Sequence, residues 1–212
     1  SLVFASREDL IPEFKAYAPA LDSWNGKGSA PVSIDDFVGL SVRDALTKAV
    51  DASGDVDGLY AALLGANSRN MLMFDLAVQG RTDNQVQHNV GWLDFTHGIT
   101  FANAVRMQCE KFPHLWPEGL LQMACFAGRN MPYIDKGQDV QRWQVGNRDA
   151  FFDENLNGLF DHGNPEYIVS CHLVKLLTAA QEEATHNPKA NYVDDMLASV
   201  NRFLNEPLKR KH

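Results

Sequence analysis

The residues best placed to do chemistry in this 212-residue chain are Asp94 and His97, a carboxylate and an imidazole one helical turn apart within the apolar stretch 90–109. A carboxylate beside a histidine can hold its tautomer and make it a general acid, a general base or a metal ligand near neutral pH. The same carboxylate can simply bond a nearby backbone group, as most buried polar groups do. The spacing leaves both open. A second histidine, His172, falls on the mostly apolar face Ile168, His172, Leu176, Ala179 and Glu183 of a later helical pattern and is expected to be buried. Asp94, His97 and His172 are therefore the candidate catalytic set, and the candidate ligands of a transition metal such as iron.

Two further patterns have the residue types of metal sites. Asp153, Asn155, Asn157 and Gly158 repeat the opening of a calcium-binding EF-hand loop, with Asp161 at its ninth position. Its twelfth position is Asn164 where a bidentate Glu is wanted, so calcium affinity would be low; the plain reading is an Asn/Gly-rich turn between helices. Glu183 and His186 repeat the carboxylate-x-x-His spacing of Asp94 and His97, as in carboxylate-bridged di-iron bundles. Against a di-iron centre, Asp stands for Glu in the first motif, and the bridging glutamates have no evident source. His172 and His186 are also ~21 Å apart along one helix at ~1.5 Å per residue and cannot share a site.

The elements that must position these residues read as helices throughout. Residues 7–17 form a short helix begun or interrupted at Pro12, and residues 19–32, rich in Pro, Gly, Ser and Asn, form a surface loop. Ser33 followed by Asp36 has the form of a capping box, and Gly39 and Ser41 are positioned to break the helix that follows. A turn at 52–54 ends it. The next run, from Asp55, is one helix or a pair broken near 67–70. The central segment 86–110 carries one stripe of Val90, Asp94, His97, Phe101, Ala104 and Gln108 beside another of Phe95, Ile99, Ala102, Val105 and Cys109. So wide an apolar arc predicts a central helix contacted on several sides, with Asp94 and His97 pointing inward. Pro113 stops it, Pro117 starts the next, and 130–147 is a long irregular connection. Asn164 and Pro165 open the helix that holds His172, and residues 191–205 close the bundle. No useful strand alternation occurs, so the fold expected is all-α, a single-domain bundle of about seven or eight helices spanning 1–212. A chain that opens on Ser1 without Met is expected to be processed, tagged or cut from something longer.

Composition bounds the function. With 45% hydrophobic and 22% charged residues the chain can bury one sizeable core. A net charge of −8 argues against nucleic acid, whose phosphates need clustered Lys and Arg. No apolar run approaches the ~20 residues that cross a bilayer, and no signal peptide is evident. Three scattered cysteines, 109, 125 and 171, read as reduced core thiols and point to the cytoplasm.

The run His97-Gly98-Ile99-Thr100-Phe101-Ala102-Asn103-Ala104-Val105 resembles the His-x-x-Thr-[Phe/Tyr]-Ala-Asn-Ala pattern of questin-oxidase-like helical domains. Cys171-His172-Leu173-Val174-Lys175 is similar to a second His-Leu-[Val/Ile]-Lys segment there. The resemblance implies oxygen-dependent Baeyer-Villiger ring opening of aromatic polyketides, with His97 and His172 as polar groups of an interior site. It also implies a Rieske-type iron-sulfur redox partner, because such domains accompany Rieske modules; no Rieske ligand set is present in this chain. Two functions follow. One is an oxidoreductase whose His97, oriented by Asp94, and His172 line an interior pocket, which requires the two imidazoles to come within ~5 Å of each other or of one ion. The other is a non-catalytic helical module that docks a redox partner or oligomerises, which predicts an exposed apolar patch.

Overall fold

A computed structural model describes residues 12–80, 90–159 and 167–206. Among them the chain forms eight α-helices, and the all-α bundle expected from the sequence is what is seen: α1 (Tyr17–Ser23), α2 (Val42–Asp51), α3 (Val56–Leu72), α4 (Trp92–Cys109), α5 (Trp116–Asn130), α6 (Arg148–Gly158), α7 (Tyr167–His186) and α8 (Val193–Asn205). Short 3-10 turns at Pro12–Ala16, Ile34–Asp36 and Pro113–Leu115 join or precede them. No described helix is long and apolar enough to cross a membrane.

Each start has a local cause. The Asp36 carboxylate accepts from the Ser33 N–H at 2.8 Å, the reciprocal half of the capping box. Ser41 and Asp55 accept from the Asp44 and Gly58 N–H groups at the starts of α2 and α3, and Asn147 does the same for Ala150 at the start of α6. Gly39, at φ +89°, supplies the left-handed turn that separates the Ile34–Asp36 turn from α2.

The core is built around α3 and α4. The α3 helix is buried on most of its circumference and packs against α4, α5 and α8, while α4 is contacted by α3, α5 and α7. Polar side chains tie the elements together. Arg69 of α3 pairs with Asp195 of α8 and with Asp35, and the buried Arg202 of α8 donates to the Leu72 carbonyl at 2.6 Å.

Of the two readings of the run from Asp55, the single helix is what is seen: the Asn67 and Asn70 amides donate to the Met123 and Ala127 carbonyls of α5 at 3.1 and 3.0 Å, so these asparagines join helices instead of ending one. Three expectations change. The loop expected over 19–32 begins later, because Pro19 falls in the first turn of α1, where its missing N–H is not needed. Asp153, Asn155, Asn157 and Gly158 lie in α6, with Phe151 and Phe152 buried. Cys171 is exposed, whereas Cys109 and Cys125 are core thiols as expected.

Candidate functional site

The α4 and α7 helices run in the same direction, because their contacts pair residues with a nearly constant offset: His97 with His172, Asn103 with Glu182 and Glu183, Arg106 with Glu183, and Glu110 with His186. A polar seam thus follows the interface from its N-terminal to its C-terminal end.

At the N-terminal end the imidazoles of His97 and His172 meet. Their Nε2 atoms are 3.1 Å apart, and the rings are tilted by 52°. His172 is buried, and its Nδ1 lies 2.7 Å from the Ile168 carbonyl. A carbonyl oxygen can only accept, so Nδ1 carries a hydrogen, and in the tautomer with its hydrogen there the Nε2 lone pair faces His97 and accepts from its Nε2–H. His97 is half-buried. One turn further along α4, Phe101 leans on Phe126 of α5 at 5.4 Å and gives the site an apolar neighbour.

Asp94 has a structural duty at the first turn of α4, where its Oδ2 accepts from the Gly91 N–H at 3.0 Å. This is the backbone bond that the sequence left open, and it places a negative charge at the positive end of the helix dipole.

Near the C-terminal end of the seam, Glu183 is fully buried. Its Oε1 accepts from Arg106 Nε at 2.8 Å and from Asn103 Nδ2 at 3.0 Å. Asn103 donates also to Glu182 at 2.9 Å, and Arg106 to Glu110 at 3.2 Å. Burial works against the Arg106 charge, yet its hydrogen bond and attraction to Glu183 hold its pKa above the ordinary value. Tyr60, which donates to the Ala102 carbonyl at 3.1 Å, has its pKa driven well up by burial and then by the Glu183 charge. Tyr192 is pushed up to about 12 for the same two reasons. Arg106, Tyr60 and Tyr192 were not singled out from the sequence, and Asn103 entered only as one residue of the 97–105 run; the available signal was an asparagine and an arginine three apart on a central helix.

The other candidates sit elsewhere. On α6, Asp153, Asn155 and Asn157 point in successively different directions, because residues two apart on a helix do not share a face, and a calcium loop needs them to converge. Asp153 lines an open groove of about 550 Å³ with Arg148, Phe152 and Gln181. Asp161 lies outside the described residues. His186, at the end of α7, stands 3.6 Å from Glu110, and Glu183 is committed to Arg106, so their shared spacing with Asp94 and His97 builds no joint centre. Among the described residues no group of three or more His, Cys, Asp and Glu side chains is placed to hold a metal ion. Of the site residues expected from the sequence, the structure brings His97 and His172 together.

No family model, curated protein or solved structure matches this chain.

Proposed function

We propose that this chain is an oxidoreductase-type helical domain whose reactive centre is the His97–His172 pair, acting on electron-rich aromatic, polyketide-like substrates with dioxygen as electron acceptor. The observation that carries the reading is the 3.1 Å approach of the two Nε2 atoms, well inside the ~5 Å that a shared site requires. Two histidines 75 residues apart on different helices are held in hydrogen-bond contact through their Nε2 atoms, with one tautomer set by the Ile168 carbonyl, an arrangement suited to passing a proton from one imidazole to the other. The substrate class rests on the resemblance of residues 97–105 and 171–175 to questin-oxidase-like domains.

The test is oxygen uptake by the wild type, His97→Gln and His172→Gln with a panel of hydroxylated anthraquinones and naphthols. Losing a group that acts directly at the reacting centre should lower the rate by about 100-fold or more. No uptake by the folded wild type with any panel member sinks the reading, as does full activity in both variants.

The exposed side of α7 favours a second reading. Tyr167, Ile168 and Val174 are 89, 53 and 48% exposed, and Cys171 lies among them. A non-catalytic module that holds a redox partner or a second copy against this helix would present such a face. It predicts that His97→Gln leaves folding and association unchanged, whereas Val174→Glu weakens association in light scattering; a wild type that stays monomeric and binds no redox protein speaks against it.

A further inference from the structure

We infer that His97 and His172 together bind one divalent first-row transition-metal cation through their Nε2 atoms, an inference that deepens the oxidoreductase reading by naming the cofactor class at the same pair. The distance is that of neighbouring ligands on one ion. With metal–nitrogen bonds of ~2.0–2.1 Å, two cis nitrogens are ~2.9 Å apart at a right angle and ~3.4 Å apart in a tetrahedron. The observed 3.1 Å lies between them. An ion set ~1.3 Å to one side of the line joining the two nitrogens meets both at such bond lengths once His97 carries its hydrogen on Nδ1, so that the ion replaces the hydrogen bond between the two Nε2 atoms.

Three further features fit. His172 is held from behind, because its Nδ1–H donates to the Ile168 carbonyl at 2.7 Å, the support that metal-bound histidines characteristically receive. Imidazole nitrogen is a favoured donor for zinc, copper, iron and nickel, whereas calcium and magnesium prefer oxygen ligands. The rings ride on two parallel helices whose register is locked by the Arg106–Glu183 pair, so the ligands are set before the ion arrives. His97 is half-buried and leaves an approach from one side.

The experiment is a titration of chelator-stripped protein with Co²⁺, read by its visible absorption, followed by displacement with Zn²⁺. The expected result is one ion per chain, an affinity reduced by about 100-fold or more in His97→Gln and in His172→Gln, and unchanged affinity in His186→Gln and His114→Gln. Because His172 is buried and its variant can lose fold, the wild type is also followed by ¹⁵N NMR of its imidazoles. There Zn²⁺ should shift the Nε2 resonances of His97 and His172 and leave those of His186 and His114 in place. Stoichiometric binding that survives both substitutions overturns the inference, as does a wild type that takes up neither ion. The two proposals fail separately: oxygen uptake by metal-free protein removes the metal and keeps the oxidoreductase, whereas metal at the pair without any turnover does the reverse.

Discussion

Replacing Glu183 by Leu tests the seam that positions the histidines. The side chain is fully buried, and its Oε1 takes a charge-assisted hydrogen bond from Arg106 at 2.8 Å and a second bond from Asn103 at 3.0 Å. Stripping one partner from a buried ion pair generally costs about 3–5 kcal/mol, mostly because the other charge is left stranded. Here the stranding is partial: Arg106 keeps Glu110 at 3.2 Å, and Asn103 keeps Glu182 at 2.9 Å. The expected loss is therefore at the low end, about 3 kcal/mol. Glu183→Gln, which retains an acceptor for both donors and loses only the charge, should lose roughly half of that. In urea, with a slope near ~2–3 kcal/mol per molar for a chain of this size, Glu183→Leu should lower the unfolding midpoint by about 1–1.5 M. Adding Arg106→Met to Glu183→Leu removes the stranded cation and should recover part of the loss, a coupling of about 1–3 kcal/mol. A Glu183→Leu midpoint within ~0.2 M of wild type would refute the claim that this pair holds α4 to α7. A double variant as unstable as the sum of the singles would refute the stranded-charge account.

Thiol chemistry should separate the cysteines: burial pushes Cys109 up to about 11 and Cys125 further, so iodoacetamide at neutral pH should label Cys171 alone in the folded protein and all three after denaturation, as read by peptide mass. A methyl group on Gly128 of α5 would lie 2.5 Å from the Val42 backbone of α2, so Gly128→Ala should cost about 1–3 kcal/mol in the same urea assay, and a neutral result would contradict the close backbone contact of these helices. Tyr60 and Tyr192 keep their protons to a higher pH when folded than the ordinary value of 10.0. The unfolded chain therefore releases protons first as the pH rises, and stability should fall between pH 10 and about 12. Tyrosinate absorbance should rise late, together with loss of helical circular dichroism; ionisation of every tyrosine near the ordinary value with the fold intact would contradict the burial of this pair.

Much of the fold was legible because it is written in local terms. The capping serine at 33, the break at Gly39 and Ser41, Pro113 and the 3.6-residue apolar period each act within a turn or two of themselves. The open or mistaken readings arise where a residue with a local meaning is used at long range. Asn67 and Asn70 left a helix break open as one of two readings because asparagine competes with its own backbone, but 56 and 57 residues away the α5 carbonyls take their amide hydrogens. The Asp153–Gly158 pattern reads as a calcium loop or a turn because its residue types suit one. Asn147 caps that segment, and the buried Phe151 and Phe152 hold it in α6.

The site divides the same way. Asp94 lies at the third position of α4, where a carboxylate closes the first turn, and that use was within reach of the sequence. The His97–His172 meeting was not, since a helical period gives the face of each imidazole but neither the partner helix nor its direction. Asn103 and Arg106 escaped notice because polar side chains on a helix are by default solvated, and only Glu183 on the facing helix makes their burial tolerable. The ion pair thereby has a consequence beyond its own energy. Sliding α7 by one turn, ~5.4 Å, would break the Arg106–Glu183 bond and part the two imidazoles together. The pair costs desolvation like any buried charge, and what it contributes is register: with it in place, a contact of 3.1 Å between nitrogens on separate helices is the position to which the bundle is held.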